Sequence, residues 1–344
     1  MRNSTGGWGE HIVRPEPGTD GRSTGAKGEP FLGIVARDRT GRLAAMGIHA
    51  ARWDDWLLDT LLAAKDEAEA RVSLVVPARN EEATVGDVVS RVREALMETV
   101  DLVDEVVVID SDSEDGTYAV AESAGARVHR AAEIRPDLGS HPGKGEAMWK
   151  SLFVTSGDLV VFMDADLSDW DTHFVPGLLG PLLTRPEVQL VKGFYERPGV
   201  GGPLEGGRVT ELVARPLIAL LFPQLADLVQ PLAGEWAVRR SWFASLPVPV
   251  GYAVELAALV DTVRALGPEA IAQVDLGVRA HGHQSLLDLG AMATQIMAAA
   301  LARAGVPTSA GAAEEAVLRQ FLPGPAPTER AVPTLERQPA EGFW

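Results

Sequence analysis

Three short apolar runs, SLVVPARNEE, EVVVIDSDSEDGT and LVVFMDADLSDW, each pass straight from a hydrophobic stretch into polar or acidic residues, and segments of helix length separate them. None alternates apolar with polar. Strands of this kind are buried on both faces, as in a parallel sheet covered by helices. Between them, ATVGDVVSRVREAL places Val85, Val88, Val89, Val92 and Leu96 at helical spacing, TYAVAESAGA reads as a second helix and ARVHRA as a short strand. The chain is therefore α/β. Ligands of such sheets bind beyond the carboxyl ends of the strands. Those ends are residues 77–82, 110–115 and 164–169, all polar and two strongly acidic.

The flanking regions are less regular. Residues 1–30 carry glycine, serine and charge without periodicity and read as a mobile tail. Residues 31–70 form an extension in which 50–70 suggest an amphipathic helix with Trp53, Trp56, Leu57 and Leu61 on one side. In the second half, GGRVTELVARP reads as a glycine-rich loop leading into a helix. GEWAVRRSWFASL and YAVELAALVDTVRALG look helical, IAQVDLGVRAH looks like a strand, and 286–304 like an amphipathic helix. Residues 307–344, rich in proline and alanine, are expected to pack loosely.

Composition excludes several function classes. With no cysteine, disulfides, thiolate catalysis and cysteine-ligated metal centres are ruled out. The formal charge of −17 argues against a nucleic-acid partner or an anionic membrane surface. No apolar run approaches the ~20 residues of a membrane span and the N-terminus does not resemble a secretory signal, so a cytoplasmic protein is expected. A phosphorylated substrate would need local cations set against this global field.

The sharpest local signal is Asp164-Ala165-Asp166. On extended backbone, residues i and i+2 face one side, so two carboxylates converge, and they repel unless a cation lies beside them. A hard divalent ion completed by a diphosphate satisfies that arrangement, whereas the bland alternative is a solvated strand end. Asp110-Ser111-Asp112 ends a neighbouring strand; residues 112–115 read better as a turn before a helix, with Ser113 or Asp115 as its cap. PGKGEA around Lys144 lacks the spacing and the hydroxyl of a Walker A loop, leaving a lysine between glycines at a helix start, able to meet a phosphate or simply exposed. His281 and His283 follow a strand at i, i+2, so one could complete a metal site, although most isolated histidines do not. Gly207, Arg208 and Thr210 offer an amide, a guanidinium and a hydroxyl together, the ingredients of an anion clamp or equally of a surface loop. Glu255, in an otherwise apolar helix, is either functional or paired.

Taken in order, VVPARNEEATVGDVV, VVVIDSDSEDGT, GKGEAMWKSL, VVFMDADL, LVKGFY, GGRVTELVARPL, QPLAGEWAVRR, GYAVEL and IAQVDLGVRAH resemble the bacterial glucosyl- and mannosyl-3-phosphoglycerate synthases, over roughly residues 71–306. The resemblance implies a GT-A fold, with a Rossmann-like nucleotide-sugar half (71–195) on a mostly parallel sheet and an acceptor half (196–306). It implies a retaining hexosyl transfer to the C2 hydroxyl of 3-phosphoglycerate from UDP-glucose, GDP-glucose or GDP-mannose, a divalent cation (Mg²⁺, or Mn²⁺), and a homodimer. Carried over residue by residue, Pro77, Ala78, Arg79, Glu81, Ser111, Lys144, Asp164, Ala165 and Tyr252 would meet the donor. Gly207, Arg208, Thr210 and His283 would meet the acceptor. Asp166 and His281 would hold the metal, and Asp166 and Glu255 would occupy catalytic positions. Two departures stand out: Ala-Arg-Asn-Glu-Glu where the glucosyl enzymes carry Ala-Leu-Asp-Glu-Glu, and Gly282-His283 after the metal histidine. A phosphohydrolase or phosphotransferase using Asp164 and Asp166, or a non-catalytic nucleotide-sugar binder, are the competing classes.

Overall fold

The computed structural model describes residues 47–196, 207–279, 285–309, 314–321 and 327–344. Its elements follow the apolar runs. β1 (His49–Arg52) leads through a 3₁₀ turn into α1 (Leu58–Glu67), then β2 (Val72–Ala78), α2 (Val85–Val92), β3 (Glu105–Asp110), α3 (Thr117–Ser123), β4 (Arg127–Arg130), α4 (Lys144–Ser151), β5 (Leu159–Phe162), α5 (Phe174–Thr184) and β6 (Leu190–Glu196). A π-helical turn (Thr210–Ala214) runs into α6 (Arg215–Leu221), followed by β7 (Trp236–Arg239), α7 (Arg240–Ala244), β8 (Val248–Pro249), α8 (Val254–Leu266), β9 (Ile271–Val278) and α9 (Leu286–Arg303). A hairpin, β10 (Glu315–Gln320) with β11 (Thr328–Pro333), and a short β12 (Glu336–Arg337) complete the described chain.

Eight strands make one sheet in the order β1-β9-β6-β7-β5-β2-β3-β4, with β7 antiparallel to both neighbours and every other pair parallel. Successive strand residues point to opposite faces. Val75, Val107, Val160 and Trp236 thus enter one core with α4, α8 and α9, while Leu74, Val106, Val161 and Ala237 enter the other with α1, α2 and α5. After β2 the chain builds outward to β3 and β4, then returns to place β5 on the other side of β2. That reversal opens a crevice at the carboxyl ends of β2 and β5, the position where open α/β sheets bind ligands.

Three expectations are corrected. Residues 50–70 are not one helix: His49–Arg52 pair in parallel with β9 as an edge strand, and Leu57 is 77% exposed. Within GEWAVRRSWFASL, WAVR is strand β7 rather than helix, since its hydrophobic residues serve both cores of the sheet. The segment from Glu315 onward does not pack loosely; it forms β10–β12, and β12 pairs antiparallel with β8. The nucleotide and acceptor halves share the single sheet. By length and composition alone α9 could cross a membrane, but it lies against α8, β10 and β11, and Arg303 at its end is ion-paired to Asp261 and Glu336.

Candidate active site

The strand ends meet at a cavity of ≈ 900 Å³, within the range of about 300–1,000 Å³ usual for small-molecule sites. Its floor comes from β2 and β5. Pro77, Ala78, Arg79 and Glu81 leave β2, Ser111 follows β3, and Asp164, Ala165 and Asp166 follow β5. The loops after β2 and β3 are cross-linked: Asn80, at φ +58°, donates its amide to Ser113 Oγ at 2.9 Å and accepts from the Glu114 amide at 2.9 Å. Asp115 accepts from the Thr117 amide at 3.0 Å, but the N-cap of α3 is Gly116 rather than the expected Ser113 or Asp115. Residues 113–115 thus serve the local fold, and Ser111 is left on the cavity wall.

Lys144 opens α4 and is drawn inward rather than exposed. Its Nζ lies 2.5 Å from Asp164 Oδ1 and 2.7 Å from Glu255 Oε1. The glycines beside it have a steric cause: a Cβ on Gly145 would sit 1.9 Å from the Pro249 carbonyl oxygen, and one on Gly143 would sit 2.3 Å from that of Val250. Only glycines let the start of α4 dock on the turn before α8, where the Glu146 amide donates to Val250 O at 2.9 Å. Burial opposes the ammonium charge, but Asp164 and Glu255 outweigh it and hold the Lys144 pKa well above its usual value. Burial likewise works against the Asp164 carboxylate, yet Lys144 and then Arg279 pull it down to about 2.

Arg279 escaped the sequence reading. It follows β9 with a side chain only 2% exposed, donating to Tyr195 Oη at 2.5 Å and approaching Asp166 Oδ1 at 3.1 Å, Glu235 Oε2 at 3.3 Å and Asp164 Oδ2 at 3.4 Å. Burial disfavours its charge, while Glu235, Tyr195, Asp164 and Asp166 raise its pKa. The available signal was spacing, since in the sequence Arg279 lies two residues before His281 at the end of an apolar run. Lys192, a lone cation inside the apolar run of β6, is its counterpart below the floor. Burial lowers its pKa to about 8, against the opposing pull of Glu255. Glu81 is pushed up to about 7, by burial first and then by Asp166.

Gly207, Arg208 and Thr210 also line the cavity wall, as do Tyr252 and Glu255. Tyr252 is held by its backbone, whose amide donates to Gln295 Oε1 at 3.0 Å. The C-terminal hairpin adds Arg330, ion-paired to Asp288 at 2.9 Å, to the same wall. His281 and His283 lie outside the described residues. Among the described residues no three potential metal ligands converge. The remaining donor set still fits a hard cation: Asp166 lines the cavity with its side chain 41% exposed and pairs through Oδ1 with Arg279, whereas Asp164 is held by both Lys144 and Arg279. Magnesium-like ions bind through one or two carboxylates and complete their shell with substrate phosphates and water. The same engagement disfavours the phosphohydrolase reading, because Lys144 and Arg279 occupy the two oxygens of Asp164 that an attacking carboxylate would need free.

An open sheet with an Asp-x-Asp at its switch point and a cation-lined cavity above defines a glycosyltransferase of GT-A type. The family model described as glycosyl transferase family 2 matches residues 73–240. The glucosyl-3-phosphoglycerate synthase of Mycobacterium tuberculosis (strain ATCC 25618 / H37Rv) is 49% identical over 278 residues, 78% of this chain and 82% of that one. That of Petrotoga mobilis is 45% identical over 247 residues, 71% and 76% of the two chains. A crystal structure of the M. tuberculosis enzyme in complex with Mn²⁺, UDP-glucose and phosphoglyceric acid matches with a TM-score of 0.78 at 44% identity, covering 86% of this chain and 99% of that one. Another, with Mn²⁺, UDP and glucosyl-3-phosphoglycerate, matches with a TM-score of 0.76 at 44% identity, covering 86% and 100%. The chain belongs to the glucosyl-3-phosphoglycerate synthase family.

Proposed function

We propose that this protein transfers the glucosyl group of UDP-glucose to the C2 hydroxyl of 3-phosphoglycerate, with retention at the anomeric carbon and a divalent cation. One observation carries the reading: fourteen residues marked in the sequence for donor, acceptor or catalysis, from six separate stretches of chain, line one cavity. Pro77, Ala78, Arg79, Glu81 and Ser111, at the ends of β2 and β3, take the nucleoside. Gly207, Arg208 and Thr210 take the anionic end of the acceptor, and Tyr252 the hexose.

In the transfer, the bond between C1 and the diphosphate oxygen breaks, the acceptor O2 bonds to C1, and the O2 proton passes to the departing diphosphate. Asp166, with His281, is the residue that would hold the cation, which supplies Lewis-acid stabilisation of the leaving diphosphate. Glu255 is 4% exposed and bound to Lys144, so it is matched to stabilising positive charge near the sugar rather than to covalent attack. Attack from the face of the leaving group follows. The homodimer implied by the family resemblance is read by sedimentation of the full chain.

The test is product formation from 3-phosphoglycerate with UDP-glucose, GDP-glucose and GDP-mannose, each with Mg²⁺ or with EDTA. Glucosyl-3-phosphoglycerate from UDP-glucose, abolished by EDTA and restored by Mg²⁺, is the expected result. A mannosyl product, or transfer that survives EDTA, would overturn the donor or the metal assignment.

A further inference from the structure

β12 is two residues long, yet it reaches three helices. Neighbouring residues of an extended strand point to opposite sides, and here each side carries an ion pair that is at least partly buried. On one side Glu336 accepts from Arg303 at 2.6 Å, and Arg303 also holds Asp261 of α8 at 2.7 Å. On the other, Arg337 makes a two-pronged pair with Glu146 of α4, Nε to Oε2 at 2.7 Å and Nη2 to Oε1 at 2.6 Å. Glu146 is fully buried, and the Arg337 guanidinium lies 4.9 Å above the Trp149 ring. Arg337 also donates to the carbonyls of Leu138 at 2.8 Å and Gly139 at 3.1 Å, in the loop leading into α4. The strand itself pairs with β8, and the Val250 amide donates to Leu335 O at 3.3 Å.

These contacts converge on one distance. α4 begins at Lys144, and the turn after β8 leads to Tyr252 and Glu255. We infer that Arg337 is a positioning residue for the transfer. Through Glu146 on one side and β8 on the other, it fixes the start of α4 against the start of α8 and so sets the Lys144–Glu255–Asp164 contact. The inference rests on the transfer activity proposed above and extends it: the C-terminal strand, outside the family-model match, belongs to the catalytic machinery. A two-pronged guanidinium pair holds direction as well as distance, which lysine reproduces only in charge.

The experiment compares the full native chain with Arg337→Met, Arg337→Lys and Leu61→Ala. Leu61 is a fully buried residue of α1 in the other core and controls for general destabilisation. Arg337→Met is expected to lower kcat at least ~tenfold with the KM for 3-phosphoglycerate within ~twofold, and Arg337→Lys to recover part of it. Leu61→Ala is expected to lower the melting temperature with kcat unchanged. Hydrogen exchange, read independently of turnover, is expected to quicken at the Lys144–Ser151 amides in Arg337→Met and not in α2. If the native chain turns over and folded Arg337→Met matches its kcat, the inference is wrong. If the native chain makes no product, the functional reading fails instead, and unchanged exchange in α4 would overturn the positioning role separately. Should Arg337→Met not fold, Arg337→Lys decides by the same two readouts.

Discussion

Lys144 shows how much one side chain can carry. Its ammonium is shared between Asp164 and Glu255, so Lys144→Met leaves two carboxylates facing each other in a largely buried site. Breaking a buried pair costs about 3–5 kcal/mol, and losing a preorganised cation at a reacting diphosphate costs about 10²–10³ in rate. Lys144→Met is therefore expected to lower transfer at least ~100-fold and to destabilise the fold, as read by steady-state assay and urea titration. Near-native turnover would reduce Lys144 to scaffold. Glu81 carries a second prediction. Its carboxyl is raised from the usual 4.5 to about 7, so the native state binds a proton that the unfolded chain releases in between. The stability this contributes is fully present below about pH 4.5 and is lost as pH rises through about 7. Thermal melts at about pH 5 and about pH 7.5 should show a shallower fall of Tm in Glu81→Gln than in the native protein. Equal slopes would place the titration elsewhere.

At the scale of elements, legibility followed the range of the forces involved. β2, β3 and β5 were visible because a strand buried on both faces must be apolar throughout, and α2 and α9 because one face repeats every three to four residues. β7 was not, because WAVR is too short to show a period and its place is fixed only by antiparallel pairing to β5 and β6. Nor was β1: Trp53 and Trp56 sit on α5 from a 3₁₀ turn, mimicking the spacing of a helix. β12 is beyond local reading altogether, since two residues pair with Val248 and Pro249 almost ninety positions away. The site divides along the same line. Acidic strand ends announce themselves, whereas Arg279, Glu235 and Lys192 are buried charges whose reason is one another.

For the whole molecule, the charge of −17 stands against substrates that are themselves anions. The structure answers locally, bringing Arg79, Lys144, Arg208, Arg279 and Arg330 to the cavity. Cations of this kind act at short range, while the outer field repels, so salt screens the repulsion more than the attraction. Raising KCl from ~20 to ~150 mM should leave kcat/KM for 3-phosphoglycerate flat or up to ~threefold higher. A ~tenfold fall would point to long-range steering by a cationic surface instead.

By itself the sequence determined the α/β class and the strand ends that bear the site, because burial pattern and residue type are properties of short segments, while the kind of chemistry came from the order of motifs that resembles a known family. Tertiary structure alone decided which charges neutralise which, and that a strand near the C-terminus, expected to pack loosely, braces the first turn of α4. Ion pairing and strand pairing depend on distance in space, and segments nearly two hundred residues apart, such as Glu146 and Arg337, leave no local trace of their meeting.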